Sequence, residues 1–591
     1  MPELARNVKN PPQPAEWVEY ADPSGGLNTK RDVHALDRNM LAVSINGWPA
    51  YDNVIAKRPA SQFYVNTSTG ATGLGGTGTT IVATRWTVGG VSTTVLLAQN
   101  GTALAYAAVG SGSWTNISTA MGAGAKRIHV AQMFDPTSGA IQCFICNGVD
   151  TPWMWSGPGS TTLTHVTTTA GYLPTNGSGG APITPRFVCT VGNNSVLVYS
   201  GEPTSTTAVY ISNAFYPQQF SQGATTSGPY PGAYQPYLIG FNDGVNGGAV
   251  TGITSLQGNI LCFKESAIYR GQFVNIYSTT YGFQWQTVSA SRGMVAPESL
   301  ASFDTYDVFL SNDGVYYTDG YQVQQISANV PTFFDGSLNG YGPICLAYTT
   351  AVGVRCGSRY IIWYDRGLPN APGAPAGYPT SGVWFDFAKP DISLLPQAGE
   401  IQGALSQYPF TASMPVAGAA QLNGPNDQGL FVWTSATADQ VALFGLGFVE
   451  FGGAISTTFA GPADRFPQVS RDSSFFDRKS IKSARFAIAA NATGGELTFT
   501  ATFTNDFLLS TSASATTPTA LGSSGAVFGT GIFGTSTFGS GTTGTAYEPV
   551  TITPSAQAYG RMIQTMISET STTEWMLLGY MLEITRTLPT V

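Results

Sequence analysis

The chain has 591 residues, enough for several domains at roughly 100–200 residues each and for a sizeable buried core. Only 10% of its residues are charged, against an average of about 25%, while 42% are hydrophobic and 12% aromatic, which excludes a disordered chain. A net charge of −8 argues against a surface that grips nucleic acid through its phosphates.

Residues 1–60 read as an N-terminal arm. The opening MPELARNVKNPPQPAEW lacks the apolar stretch of a secretory signal, and no run approaches the roughly 18 apolar residues of a membrane helix. Residues 31–45 carry the best helical period in the chain. Around them lies a dense set of turn and polar residues: Gly25, Gly26, Leu27 and Asn28, then Asp32, Leu36 and Asn39, then Ser44, Ile45 and Asn46, closing on Lys57, Arg58 and Pro59.

From about residue 61 to 440 the recurring event is a short strand, a Gly/Asn/Asp turn and another short strand. Thr93, Val95 and Leu97 precede Asn100-Gly101, and Ile141–Cys146 precedes Asn147-Gly148. Phe187–Val191 runs through Gly192, Asn193 and Asn194 into Val196–Tyr199. Leu256 passes through Gly258-Asn259 into Ile260–Phe263, and Val308–Leu310 through Asn312-Asp313-Gly314 into Val315–Tyr317. Alternating apolar residues around Asn-Gly or Asp-Gly turns signal hairpins. Hairpins recurring over several hundred residues predict an all-β protein built as a propeller or as stacked sandwiches. The repeats diverge too far for a blade number to be read from them.

The chain changes character near residue 440, and 441–591 reads as a smaller β domain. Residues 464–486 hold its densest basic cluster, Arg465, Arg471, Arg478, Lys479, Lys482 and Arg485, a candidate docking surface or else a solvated loop before a strand at Arg485–Ala489. Residues 512–546 are rich in Gly, Ser and Thr, with Phe528, Phe533 and Phe538 recurring every five residues, too few coils for a solenoid. Strands resume at Arg561–Ser568 and Trp575–Thr585.

Signals for chemistry fail on their context. Cys143 and Cys146 have CxxC spacing without a second pair, and strand positions three apart face opposite sides. The other cysteines, Cys189, Cys262, Cys345 and Cys356, show no framework spacing and read as small buried hydrophobes of a protein assembled in a reducing cytoplasm. GxGxxG occurs at Gly73–Gly78, leading into a β-rich run, and at Gly529–Gly534, in low-complexity sequence; neither opens a helix that could receive a phosphate. With three histidines and no GxSxG or HExxH, no catalytic residue, metal ligand or cofactor site is expected.

The segment 22–59 resembles the N-terminal signature of tail nozzle (tail tubular) proteins of short-tailed bacteriophages, where a GGxN turn and a strand ending in KRP or KRG precede a β-propeller. The likeness continues through Asn147–Asp150 with Pro152 and Trp153, and through Ile211, Ser212 and Asn213 with Pro217 and Phe220. It continues again through Ile253–Arg270 (ITSLQGNILCFKESAIYR) and Gly293–Gly320 (GMVAPESLASFDTYDVFLSNDGVYYTDG), covering roughly residues 22–390. One departure is Glu298, where a small or basic residue is more usual, and it puts no function in doubt. These motifs read as scaffold: Leu261, Phe263, Ile268 and Tyr269 suit a strand buried on both faces, with Lys264, Glu265 and Ser266 turning the chain.

The resemblance implies a non-enzymatic virion protein, assembled in the host cytoplasm. Six copies would form a tube below a dodecameric portal-adaptor complex, retaining and conducting double-stranded DNA without sequence recognition, with tail fibres or spikes attached around it. Within that frame the basic cluster is expected to face the adaptor or a neighbouring subunit. The segment Gly223–Gly248, whose only charge is Asp243, is the expected channel loop. Alternative readings are a propeller that binds or cleaves glycans on the virion and, less favoured, a cell-surface adhesin.

Overall fold

The computed structural model describes the chain from residue 15 to 587 except for 66–77, 167–172, 175–181, 221–236, 241–246, 336–350, 365–380, 388–396, 402–415, 422–428, 434–439, 467–477, 517–549, 553–558 and short connections between strands. The chain divides into two compact units, Ser61–Pro396 with Leu405–Leu446, and Met1–Ala60 with Gln397–Ala404 and Gly447–Val591.

The larger unit is a β-propeller. Among the described residues it contains seven antiparallel meanders, each following the last in sequence. Blade 1 is Gly78–Val88, Val91–Asn100, Ala103–Ala108 and Thr115–Ser118. Blade 2 is His129–Asp135, Ala140–Cys146, Trp153–Trp155 and Thr164–His165. Blade 3 is Phe187–Val191, Val196–Glu202, Ser205–Ile211 and Tyr237–Leu238. Blade 4 is Val250–Leu256, Asn259–Lys264, Ile268–Tyr277 and Thr280–Ser289. Blade 5 is Ala301–Ser302, Asp307–Ser311, Gly314–Thr318 and Val323–Gln325. Blade 6 contains Val352–Cys356, Arg359–Tyr364 and Ser381–Asp386. Blade 7 takes Val416–Gln421, Gly429–Trp433 and Gln440–Phe444 from the end of the unit and completes itself with Ser61–Val65 from its beginning. That pairing fastens the ring, because one sheet then holds both ends of the unit, and the first strand of blade 7 lies against the first strand of blade 1.

All five predicted strand pairings form, the one after Ile141–Cys146 closing on Trp153–Trp155 across the longer connection Asn147–Pro152. The period of two along a strand explains the core. In blade 2, Cys143 and Ile145 pack with Val95, Leu97 and Leu104 of blade 1. Phe144 and Cys146, on the other face, pack with Leu197, Tyr199 and Tyr210 of blade 3. The two CxxC sulfurs therefore belong to different interblade cores, and burial pushes the Cys143 thiol up to about 12 and that of Cys146 well above its ordinary value. Blade 4 repeats the arrangement, with Ile260 and Cys262 facing blade 3 and Leu261 and Phe263 facing blade 5.

The smaller unit is a β-sandwich. One sheet carries Gly47–Tyr51, Val54–Lys57, Glu574–Thr587 and Arg478–Asn491, with Glu16–Tyr20 also paired to Glu574–Thr587. The other carries Val43–Ile45, Gly453–Asp464, Ile563–Ser571, Thr498–Asn505 and Ser510–Thr516. Their inner faces meet in a core that includes Ile55, Phe486, Leu582 and Ile584 from the first and Phe459, Phe499, Phe503 and Ile567 from the second.

The smaller unit corrects two expectations. The described strands of residues 1–60 are not a separate arm, since they pair into both sheets of the sandwich. Nor do residues 31–45 form an α-helix; they hold only a 3-10 turn at Val33–Ala35 and the strands Met40–Leu41 and Val43–Ile45. Asn28 Oδ1 accepts from the backbone of Lys30 (3.0 Å) and Arg31 (3.2 Å), and Asp32 Oδ1 from His34 (3.0 Å). Such local side-chain bonds compete with helix, and pairing to Gly453–Asp464 claims the rest.

Candidate functional site

The first strands of blades 1, 2, 3, 4 and 6, with the turn entering blade 5, surround a cavity of about 420 Å³. Ile81, Val130, Val188 and Ile253 contribute to its walls, most of its accessible surface is polar, and its ionisable lining side chains are Arg127, His129 and Glu298. Arg127 and His129 are two residues apart in extended chain, so both side chains fall on one face while Ile128 between them is buried.

Glu298 sits in the 3-10 turn Pro297–Ser299. Its Oε1 accepts from Arg186 Nη2 at 3.0 Å and lies 3.5 Å from His129 Nε2, an ion-pair distance rather than an aligned hydrogen bond. Phe187 braces both side chains: the His129 ring meets it edge-on at 4.9 Å and the Arg186 guanidinium lies 5.1 Å from its centroid. Burial alone would push the Glu298 carboxyl up, but His129, Arg127 and Arg186 outweigh it and hold it well below the usual carboxylate range.

The turn is pinned through its neighbour Ser299. That hydroxyl donates to Ala296 O (2.7 Å) and accepts from Leu310 N (2.9 Å), while Tyr360 Oη donates to Ser299 O (2.7 Å). A methyl group at Gly353 would overlap both the Ser299 carbonyl oxygen and Tyr360 Oη. Gly353→Ala should therefore displace the turn and cost about 1–3 kcal/mol in denaturant unfolding, and unchanged stability would count against this bracing.

The residues singled out in the sequence fare differently. Arg471, Gly223 and Asp243 lie outside the described residues, while Gly248 is described, at φ +83° beside Glu265. Arg478 begins the strand Arg478–Asn491. Lys479 is buried, with its Nζ donating to the Arg465 carbonyl, so it is no part of a docking surface. Strand formation decides this, because neighbouring residues point to opposite faces. Arg465, Lys482 and Arg485 are exposed, and Arg485 covers the Trp17 ring at 4.4 Å. Lys479 and Arg485 stand six strand residues apart, roughly 20 Å, so the described cations of the cluster do not form one patch.

Sequence reasoning missed the axial cluster, having passed over Glu298 as inconsequential. The signal available was the Arg127/His129 spacing in a chain so poor in charge. Among the described residues no group of three or more His, Cys, Asp or Glu could hold a metal ion, and no helix is long and apolar enough to cross a membrane.

No family model and no curated protein matches the chain. Solved structures similar to it include YCF48 from Cyanidioschyzon merolae, at 10% identity and TM-score 0.37, covering 65% of this chain and 98% of that one. Another is Kuenenia stuttgartiensis hydrazine synthase, at 9% identity and TM-score 0.32, covering 59% and 91%. A third is the extracellular domain of the putative one-component system BT4673 from B. thetaiotaomicron, at 11% identity and TM-score 0.38, covering 83% and 60%. None of the three is described as a phage tail protein, and the propeller assignment rests on the sheet topology above.

Proposed function

We propose that this chain is the structural subunit of a phage tail nozzle, with no bond chemistry of its own. What carries the reading is the N-terminal signature, whose polar residues behave as a fold-defining network. Arg58 Nε donates to Asn46 Oδ1 (2.9 Å), Arg58 N to Asn46 O (2.9 Å), and Asn46 Nδ2 to Ser456 O (2.7 Å). Lys57 Nζ meets Glu569 Oε2 at 3.1 Å with both side chains fully buried. A sequence signature made of residues that fasten the start of the chain to its last strands suits a shared architecture better than a loop coincidence.

Six copies form a ring below the portal-adaptor complex, and fibres or spikes attach around it. Low charge density suits subunit interfaces, whose cores are depleted in charged residues. DNA slides most easily past a wall that captures no phosphates, and six chains of −8 carry about −48. The lumen is then lined mainly by Asp, Glu, Ser, Thr, Asn and Gln. Exposed Lys482 and Arg485 face the adaptor or a neighbouring subunit. Native mass measurement is the test. A ring-forming hexamer is expected, whereas a stable monomer active on polysaccharide would replace this reading with the glycan-directed one.

A further inference from the structure

We propose that the axial cavity of the propeller is a binding site for a small oxyanion, a phosphate or carboxylate. This inference does not depend on the nozzle reading. Its size falls within the roughly 300–1,000 Å³ of small-molecule sites, and its accessible surface is mainly polar, with ionisable groups converging on it, which suits a charged ligand rather than an apolar one. Arg127 and His129 reach the cavity from the start of blade 2 and Glu298 from the turn between blades 4 and 5, while Arg186 stands behind the carboxylate. Two guanidiniums and an imidazole thus surround a single carboxylate, leaving the site positive in a chain of net charge −8.

The chemistry selects oxyanions. Glu298 uses Nη2 of Arg186, which does not line the cavity, so Arg127 is the guanidinium in its wall. Guanidinium forks match the paired oxygens of carboxylate and phosphate, and the His129 side chain lines the same space. The site is not sealed, since the side chains of His129 and Arg186 keep 26% and 21% of their accessible surface. Phosphate differs from carboxylate in taking three donors at once, so the two probes separate the candidate sources.

The test is titration of the full chain, carrying ¹³C-labelled histidine, with inorganic phosphate and separately with citrate at constant ionic strength. The expected result is a saturable shift of the His129 resonance with a midpoint of about 1 mM or below for at least one probe. Arg127→Gln should weaken that binding about tenfold or more, the loss of one charged hydrogen bond, and Glu298→Gln should tighten it. No saturable shift in the wild-type chain with either probe overturns the proposal, whatever the variants do. A folded Arg127→Gln chain that binds as the wild type does overturns it equally. If that variant fails to fold, Arg127→Lys replaces it and should weaken binding through loss of the fork; unchanged binding would refute the site.

Discussion

Lys57→Met should destabilise the sandwich unit by about 3–5 kcal/mol, because it leaves Glu569 charged and buried without its partner. Both side chains are fully buried and the pair is 3.1 Å apart. Burial pushes the Lys57 amine down, and Glu569 acts against that, so each charge is tolerated only in the presence of the other. Glu569 Oε1 has no hydrogen-bond partner of its own among the described residues, so the lysine is its main compensation. Replacing both residues, as Lys57→Met with Glu569→Leu, should recover most of the loss, since a packed apolar pair is often no worse than a buried ion pair. Chemical denaturation of the three variants measures this. A single substitution costing under about 1 kcal/mol, the scale of an exposed pair, would show that the charges are solvated.

The second large effect concerns pH. Asp307 opens the second strand of blade 5, wholly buried with neither carboxyl oxygen hydrogen-bonded among the described residues, and burial raises its carboxyl to about 7, the nearby Ser302 acting against it. The folded state therefore keeps this proton to higher pH than the unfolded chain, whose carboxyl titrates near 3.8. Its contribution to stability is fully present below about pH 4 and is lost as pH rises towards 7, a penalty of about 4 kcal/mol by pH 8. Glu298 works in the opposite sense, adding stability above the unfolded carboxylate value and losing it in acid. Asp307→Asn isolates the first effect, because it leaves Glu298 untouched. The variant should be more stable than wild type at pH 8, and the difference should shrink or reverse at pH 4. Parallel pH profiles for the two proteins would mean that Asp307 is ionised in the fold.

Local features of the fold were legible. Asn100-Gly101 and Gly258-Asn259 sit between alternating apolar runs, and both turns close hairpins in the propeller. Cys143 and Cys146 could be assigned to opposite faces from spacing alone, and their separate cores agree. What was not legible depends on distant pairing. Ser61–Val65 gives no local sign that it completes the sheet of Gln440–Phe444, so neither the blade number nor the fastening could be read. Lys57 and Glu569 are 512 positions apart, and nothing near either residue marks the other. The same holds for Glu298 with Arg186, 112 positions apart, although Arg127 and His129 could have been paired as a same-face couple. Residues 31–45 are only the best of weak helical candidates, and Asn28, Asp32 and strand pairing override that period.

The tail-nozzle assignment is tested most directly by electron microscopy of virions containing this chain, with the copy number and position of the subunit read from the tail. Six copies should form a ring around the DNA axis immediately below the portal-adaptor complex. Finding the chain at another place in the particle, or in three or twelve copies, would contradict the assignment.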